Sequence, residues 1–539
     1  MTKQSIKLLL LTFSLLFFTL QGCSNDSTDD SASDDSETAS DANDTDSNIT
    51  SDSETDTSAD TASDLDSDTT VDRTAMFDKV EELGKGVNLG NWLEAWPDQS
   101  WGVVITKEDI NRIADQGFDT IRVPAKWEPR ALNEEPYTID PDFFTIVDNV
   151  IKWATDAGLN VVIDMHHHLD FFDDPDTWTD KFLGMWEQIA VRYADKDDNL
   201  LFEIMNEPNT ELTAEKWNIL LAKALTVIRE SNPKRAVVIG TAEWGGIAAM
   251  NKLILPNDDN IIFTFHYYSP FQFTHQGADW VDGADAWLGT DFTGSYFERL
   301  AMKNDMDSVS RWSAENDIPV WIGEFGAFSG ADMDSRAIWT ATVARFAESY
   351  DFAWCYWEYN SGFGVYDQDT QSWNTPLVDA LFSEDTSVTE LNKEQLGDNI
   401  LTNGDFTDDL TGWTTNFNGS EATAATVDET LQIEITDGGP DPWSVQLINA
   451  LPLLETGKSY AVLFDAWGDS QRALYLGVQH LADPWNSYGG STVNIGTEPS
   501  TQVFTFSMTE DDDNAGLVIN AGSETATVHI DNIYITEIN

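Results

Sequence analysis

From residue 86 to residue 356, short apolar runs alternate with longer stretches of helical period. The runs occupy residues 86–90, 120–124, 160–165, 200–205, 236–240, 261–265, 320–323 and 352–356. Most are almost continuously apolar, as strands buried on both faces must be. Between them, residues 213–232 place Trp217, Leu220, Leu221, Ala224, Leu225 and Ile228 on one helical stripe. Trp178, Phe182, Met185, Trp186 and Ile189 repeat that stripe in the preceding helix, and Thr106-Lys107-Glu108-Asp109 reads as a helix start. Eight strands alternating with helices predict an α/β fold, a (β/α)₈ TIM barrel over residues 75–387. A doubly wound open sheet is the main rival, and no glycine-rich phosphate loop supports it.

Beyond a linker at 388–398 the period changes to two. Residues 431–435, 460–464 and 503–506 alternate apolar and polar positions between Gly, Asp and Pro turns. An all-β, jelly-roll-like sandwich over 399–539 is expected. Asp441-Pro442-Trp443 and Asp483-Pro484-Trp485 sit in turn-like contexts where an indole would be exposed to stack on sugar, whereas Phe406 and Trp413 are expected in the core.

The first 74 residues carry neither pattern. Residues 1–23 combine Lys3 and Lys7, an apolar run from Leu8, and the ending Leu20-Gln21-Gly22-Cys23. This describes an export signal, and its ending resembles the bacterial lipoprotein signal, in which Cys23 would carry the lipid anchor. Residues 24–74 are expected to be a disordered acidic tether that holds the folded part away from a membrane. Exported, lipid-anchored at the outer membrane or cell surface, or otherwise secreted, is the expected location. Cys355 is the one other cysteine, so a disulfide framework is excluded and a small core residue is expected there.

The net charge is −67. Residues 24–72 hold 17 of the 95 acidic residues and the leader two of the 28 basic ones, leaving 78 against 26 on the remainder. Such a surface repels nucleic acid and polyanionic substrates, so a neutral substrate is expected; a high-salt habitat accounts for most of the charge.

Polar groups cluster where the apolar runs stop. The second run ends Ile121-Arg122-Val123-Pro124, the third Asp164-Met165-His166-His167-His168 and the fourth Met205-Asn206-Glu207-Pro208. The sixth ends Phe265-His266-Tyr267-Tyr268, the seventh Gly323-Glu324-Phe325-Gly326 and the eighth Tyr356-Trp357-Glu358-Tyr359. In a barrel these positions share one rim, the rim that carries active sites. Consecutive histidines suggest metal, but neighbours on an extended chain face opposite ways and no metal-ligand spacing accompanies them. One or two of them facing the pocket as hydrogen-bonding groups is the better expectation. Two carboxylates and many aromatics at one rim point to a glycosidase, with Glu207 as proton donor and Arg122 and Tyr268 holding Glu324 ionised. The 21 tryptophans suit sugar stacking, although most belong to the core.

Asn206-Glu207-Pro208 with Gly323-Glu324-Phe325-Gly326, Ile121-Arg122, His166, His266-x-Tyr268 and Trp357 resembles glycoside hydrolase family 5, the retaining cellulases and mannanases. The motifs around Gly86–Asn91, Gly240–Gly246 and Phe273–Ala278 resemble its bacterial endoglucanases. The resemblance implies Glu207 as acid/base and Glu324 as nucleophile. It implies Asn206 on the sugar 2-hydroxyl, and Arg122 and Tyr268 orienting Glu324. His266 would support Glu207, His166 and His167 would bind the same sugar, and Trp357 would floor that subsite. Asn91, Glu94 and Trp280 match further cleft positions. The C-terminal motifs Asn403-Gly404-Asp405-Phe406, Gly412-Trp413 and His529–Ile533 resemble carbohydrate-binding modules of families 4 and 9, with Trp443 and Trp485 for glycan and Asp405 and Asp531 for a structural calcium. No cofactor is expected for catalysis. The expected activity is a monomeric endo-β-1,4-glucanase acting on neutral β-linked polysaccharide. The alternatives are a β-mannanase or bifunctional enzyme, and a non-catalytic glycan-binding lipoprotein.

Overall fold

A computed structural model describes residues 71–391 and 396–538, apart from 98 and 100. The expected signal, Cys23 and nearly all of the tether lie outside the described residues.

Eight parallel strands close into a barrel in sequence order: β1 Lys85–Asn88, β2 Thr120–Val123, β3 Asn160–Asp164, β4 Leu200–Glu203, β5 Val237–Ile239, β6 Ile261–Tyr267, β7 Val320–Phe325 and β8 Ala353–Tyr356. Each overlaps one predicted run. The predicted stripe at Trp217 lies on the helix Ala214–Ser231, with all six of its apolar residues buried. Thr106 caps the helix Lys107–Gln116 through a reciprocal capping box with Asp109, which ties down two otherwise unpaired amides.

Strand alternation divides the barrel interior into two layers. The lower holds Val162, Leu201, Val238, Ile262, Trp321, Ala353 and Cys355, and the helix Thr74–Leu83 plugs it with Met76, Val80 and Leu83. Two residues further along β2, β3 and β4 the same face carries Arg122, Asp164 and Glu203, all buried. The barrel is therefore sealed with hydrocarbon at one end and lined with charge at the other.

After a short hairpin, β9 Tyr366–Asp367 with β10 Ser372–Trp373, and the helix Thr375–Phe382, the C-terminal part is all antiparallel. Its strands are β11 Trp413–Phe417, β12 Glu421–Val427, β13 Thr430–Asp437, β14 Val445–Ala450, β15 Ser459–Gly468, β16 Arg472–His480, β17 Ser487–Ile495, β18 Ser500–Ser507, β19 Ala515–Asn520 and β20 Val528–Ile538. They form two five-stranded sheets, β11-β14-β19-β16-β17 and β12-β13-β20-β15-β18. Leu431, Ile433, Leu447, Leu476, Ile519 and Ile530 fill the space between them. Phe406 and Trp413 are buried there, rings stacked with centroids 5.4 Å apart. The second sheet rests on the barrel, where Leu463 packs with Tyr296 and Leu300 and Asn304 donates to the Thr501 carbonyl at 2.7 Å.

Candidate active site and its surroundings

Arg122 is the centre of the upper layer. Its guanidinium is wholly buried and meets three carboxylates: Glu203 in a fork at 2.6 and 2.9 Å, Asp164 at 2.8 Å and Glu324 at 2.6 Å. It also donates to Asn88 Oδ1 at 3.0 Å and to Asn206 Oδ1 at 2.7 Å. The planar fork can serve several acceptors at once, which an ammonium could not do with the same rigidity. Because the Asn206 oxygen is occupied, its NH₂ is the side chain's remaining hydrogen-bonding group.

Glu324, the last residue but one of β7, accepts from Arg122 and, at 2.9 Å, from the Tyr268 hydroxyl. Burial pushes its carboxyl up, but the His266 and Arg122 charges and the Tyr268 hydrogen bond outweigh this and hold it at about 2. Glu207, just beyond β4, is moved the other way: burial raises it, only partly offset by the hydrogen bond from His266 Nδ1 at 2.7 Å, and the Glu324 charge raises it further. The nearest oxygens of the two carboxylates lie within 4.8 Å of each other. One acid is thus built to hold a proton beside another built to lack one.

The histidine run does not alternate as an extended chain would. His167 adopts φ of +41°, which turns its ring onto the same side as His166, centroids 4.4 Å apart. His168 alone turns away and stacks in the core against Phe171. His166 Nδ1 contacts Asp164 Oδ2 at 2.6 Å, and its ring stacks on Trp357 at 5.8 Å and 5°. Asn91 and Glu94 also border this corner. The Asn91 amide N–H donates to Glu94 Oε1 at 2.8 Å and its side chain to Glu358 Oε2 at 2.9 Å. Trp280 is 42% exposed and packs on Phe328 and Phe363.

Three groups of the site escaped sequence reading. Glu203 lies inside an apolar run, and its signal was polarity on the face shared with Leu201. Asn88 likewise shares a face with Gly86. Trp244 follows β5 in a left-handed turn with Glu243 and Gly245, its amide bonded to the Pro208 carbonyl, and is 45% exposed next to Glu207.

In the sandwich, Trp443 and Trp485 are about half exposed but stand at opposite ends of one sheet. Trp443 precedes β14, Trp485 follows β16, and register sets Gln446 level with Tyr475 and Ala450 level with Gln479 through β19. The two indoles therefore share no platform. The outer face of that sheet instead carries a cross-strand row of Asn416, Gln446, Asn520, Tyr475 and Thr492. The outer end of the Tyr475 ring, its Cζ and Oη, lies over the paired Gly477 and Gly490, where any side chain would strike it. A Tyr two residues before a Gly opposite another Gly was the overlooked signal. Asp531 is pushed up by burial and by Asp465, Asp405 and Glu429, which bring acidic oxygens together there.

The family model "Cellulase (glycosyl hydrolase family 5)" matches residues 80–362, more than half of the chain. The chain belongs to glycosyl hydrolase family 5. A carbohydrate-binding domain model matches residues 398–527. Among curated relatives, endoglucanase H of Acetivibrio thermocellus is 34% identical over 58% of this chain and 34% of its own length. The cellulase/esterase CelE of the same organism is 30% identical over 56% and 40%. The chain thus spans little more than a third of these relatives. Thermotoga maritima Cel5A, solved with cellobiose, is 46% identical over 57% of this chain and 99% of that one, with a TM-score of 0.56; its mannotriose complex gives 45% with the same coverage and score. The family-5 match falls on the barrel that carries Glu207 and Glu324.

Proposed function

We propose that this family-5 chain is an endo-β-1,4-glucanase working by double displacement. The observation that carries the reading is the carboxylate pair: nearest oxygens within 4.8 Å, with opposed proton affinities. The close approach of the two oxygens supports a nucleophilic Glu324, the role that retention gives the second carboxylate. Glu324 attacks the anomeric carbon while Glu207 delivers its proton to the departing glycosidic oxygen. Glu207, now ionised, then takes a proton from water as that water displaces Glu324. Asn206, its oxygen held by Arg122, offers its NH₂ to the sugar 2-hydroxyl, and His166, His167 and Trp357 border the same ring.

A second reading, action on β-mannan as well, is supported by the mannotriose complex of Cel5A. Reducing-sugar release from carboxymethylcellulose, lichenan and glucomannan decides between them. Turnover on at least one is expected, abolished by Glu324→Gln with a fall on the order of 10⁴-fold or more while substrate still binds. Binding without turnover on any of the three would leave a glycan-capture protein instead.

Two further parts of the reading concern the ends. Residues 1–74 are proposed to export the enzyme and tether it at the cell surface through Cys23; detergent-phase partition that is lost on Cys23→Ser tests this. Asp405 and Asp531 supply the hard oxygen donors that calcium prefers. Chelation is expected to lower the melting temperature of the sandwich, and an unchanged melting curve would remove calcium from the account.

A further inference from the structure

Beside the carboxylate pair lies a corner whose donor set is incomplete. Glu94 is 1% exposed; its Oε1 accepts from the Asn91 amide, but its Oε2 is buried with no hydrogen-bond partner. That oxygen faces His166 Nε2 at 4.0 Å, too far for a hydrogen bond. With Nδ1 against the acceptor Asp164, the proton resides on Nδ1 and Nε2 presents a lone pair. A carboxyl oxygen and an imidazole nitrogen therefore face one another across a gap. The third group is His167, whose left-handed backbone places a ring nitrogen within 4.8 Å of both.

We propose that Glu94, His166 and His167 form a binding site for a borderline divalent transition-metal ion, of which Zn²⁺, Co²⁺ and Cu²⁺ are the type. Two imidazoles and one carboxylate are a donor set such ions favour, whereas calcium and magnesium require oxygen. Asp164 on the far nitrogen of His166 is the outer-shell carboxylate that orients a ligating histidine. Bonds of about 2.0–2.2 Å require the three ligand atoms to close by some tenths of an ångström, a movement of side-chain ends. On binding, the ion takes one lone pair from each ligand and Glu94 is ionised, any proton it held passing to water. Asp164, Glu324 and Glu358 favour a cation there, while Arg122, His266 and Lys126 oppose it. A second trio, Glu207, His266 and Glu324, has comparable spacing, but Glu324 is already bonded to Arg122 and Tyr268 and Glu207 to His266 Nδ1, although His266 Nε2 has no partner.

Occupancy would displace the sugar from this corner. The metal then inhibits hydrolysis in competition with substrate, a consequence that rests on the proposed function; the binding claim does not.

The test is titration of tag-free full chain with Co²⁺, read by the visible absorption of the bound ion and by calorimetry, without substrate. Saturable one-to-one binding, displaced by Zn²⁺ and not by Ca²⁺, is expected. Glu94→Gln and His167→Asn should each weaken it at least about tenfold with an unchanged melting curve, and Glu207→Gln should leave it unchanged. No saturable binding to the wild type overturns the proposal. So does loss in Glu207→Gln with retention in both Glu94→Gln and His167→Asn, which would move the ion to the carboxylate pair. Metal bound without competitive inhibition would refute only the stated consequence.

Discussion

At the scale of the residue, His266 ties the two acids together. It donates to Glu207 at 2.7 Å and stands 3.6 Å from Glu324. Burial raises both carboxyls and His266 opposes the rise in both. In the proposed mechanism Glu324 acts ionised and Glu207 protonated, so kcat/KM is expected to rise as pH passes the first and to fall as it passes the second. Removing the imidazole in His266→Gln withdraws the opposition from each acid. Both limbs of the pH profile should move to higher pH, read as kcat/KM against pH on a soluble glucan. A lowered rate with unmoved limbs would make His266 only a spacer. Arg122 and Tyr268 as partners of Glu324 were legible from the strand ends; Glu203 was hidden inside a run read as apolar, and Asp164, though visible at a strand end, was not read as a partner of Arg122.

At the scale of the element, the barrel strands declared themselves through unbroken apolar runs, and the helices through their stripes. Sandwich strands were legible as alternation, but which residues share an outer face was not, because both faces of alternation look alike until the sheets pair. The row through Tyr475 arises from register across five strands. A tyrosine laid over two glycines offers a stacking face to the apolar side of a pyranose, with Gln446 and Asn520 beside it for hydroxyls. Tyr475→Ala is expected to weaken retention in β-glucan affinity gels about 5–10-fold, and substitution of Trp443 or Trp485 to do less. Greater loss from either tryptophan would return the site to the sheet ends.

At the scale of the whole molecule, the sandwich rests on the barrel through β15 and β18 of its second sheet, so the outer face of the first sheet stays open. Truncation after residue 387 should abolish retention on insoluble glucan while leaving turnover of a soluble substrate nearly unchanged. It also uncovers Tyr296 and Leu300, so the barrel should melt earlier, by roughly 2–4 °C per kcal/mol of burial lost. Unchanged retention would make the sandwich a spacer.

The sequence by itself determined the eight strands, their helices, the change to an all-β module and the two acids, because burial on both faces, helical period and a polar break in an apolar run are all local patterns. Only the tertiary structure decided how those acids differ. Arg122 meets Glu203 across 81 residues and Glu324 across 202, a meeting that exists only once the barrel has closed and water has been excluded from its upper layer. Likewise His166 and His167 share a side because one backbone angle is left-handed, a choice that the surrounding fold imposes and that three identical letters cannot express.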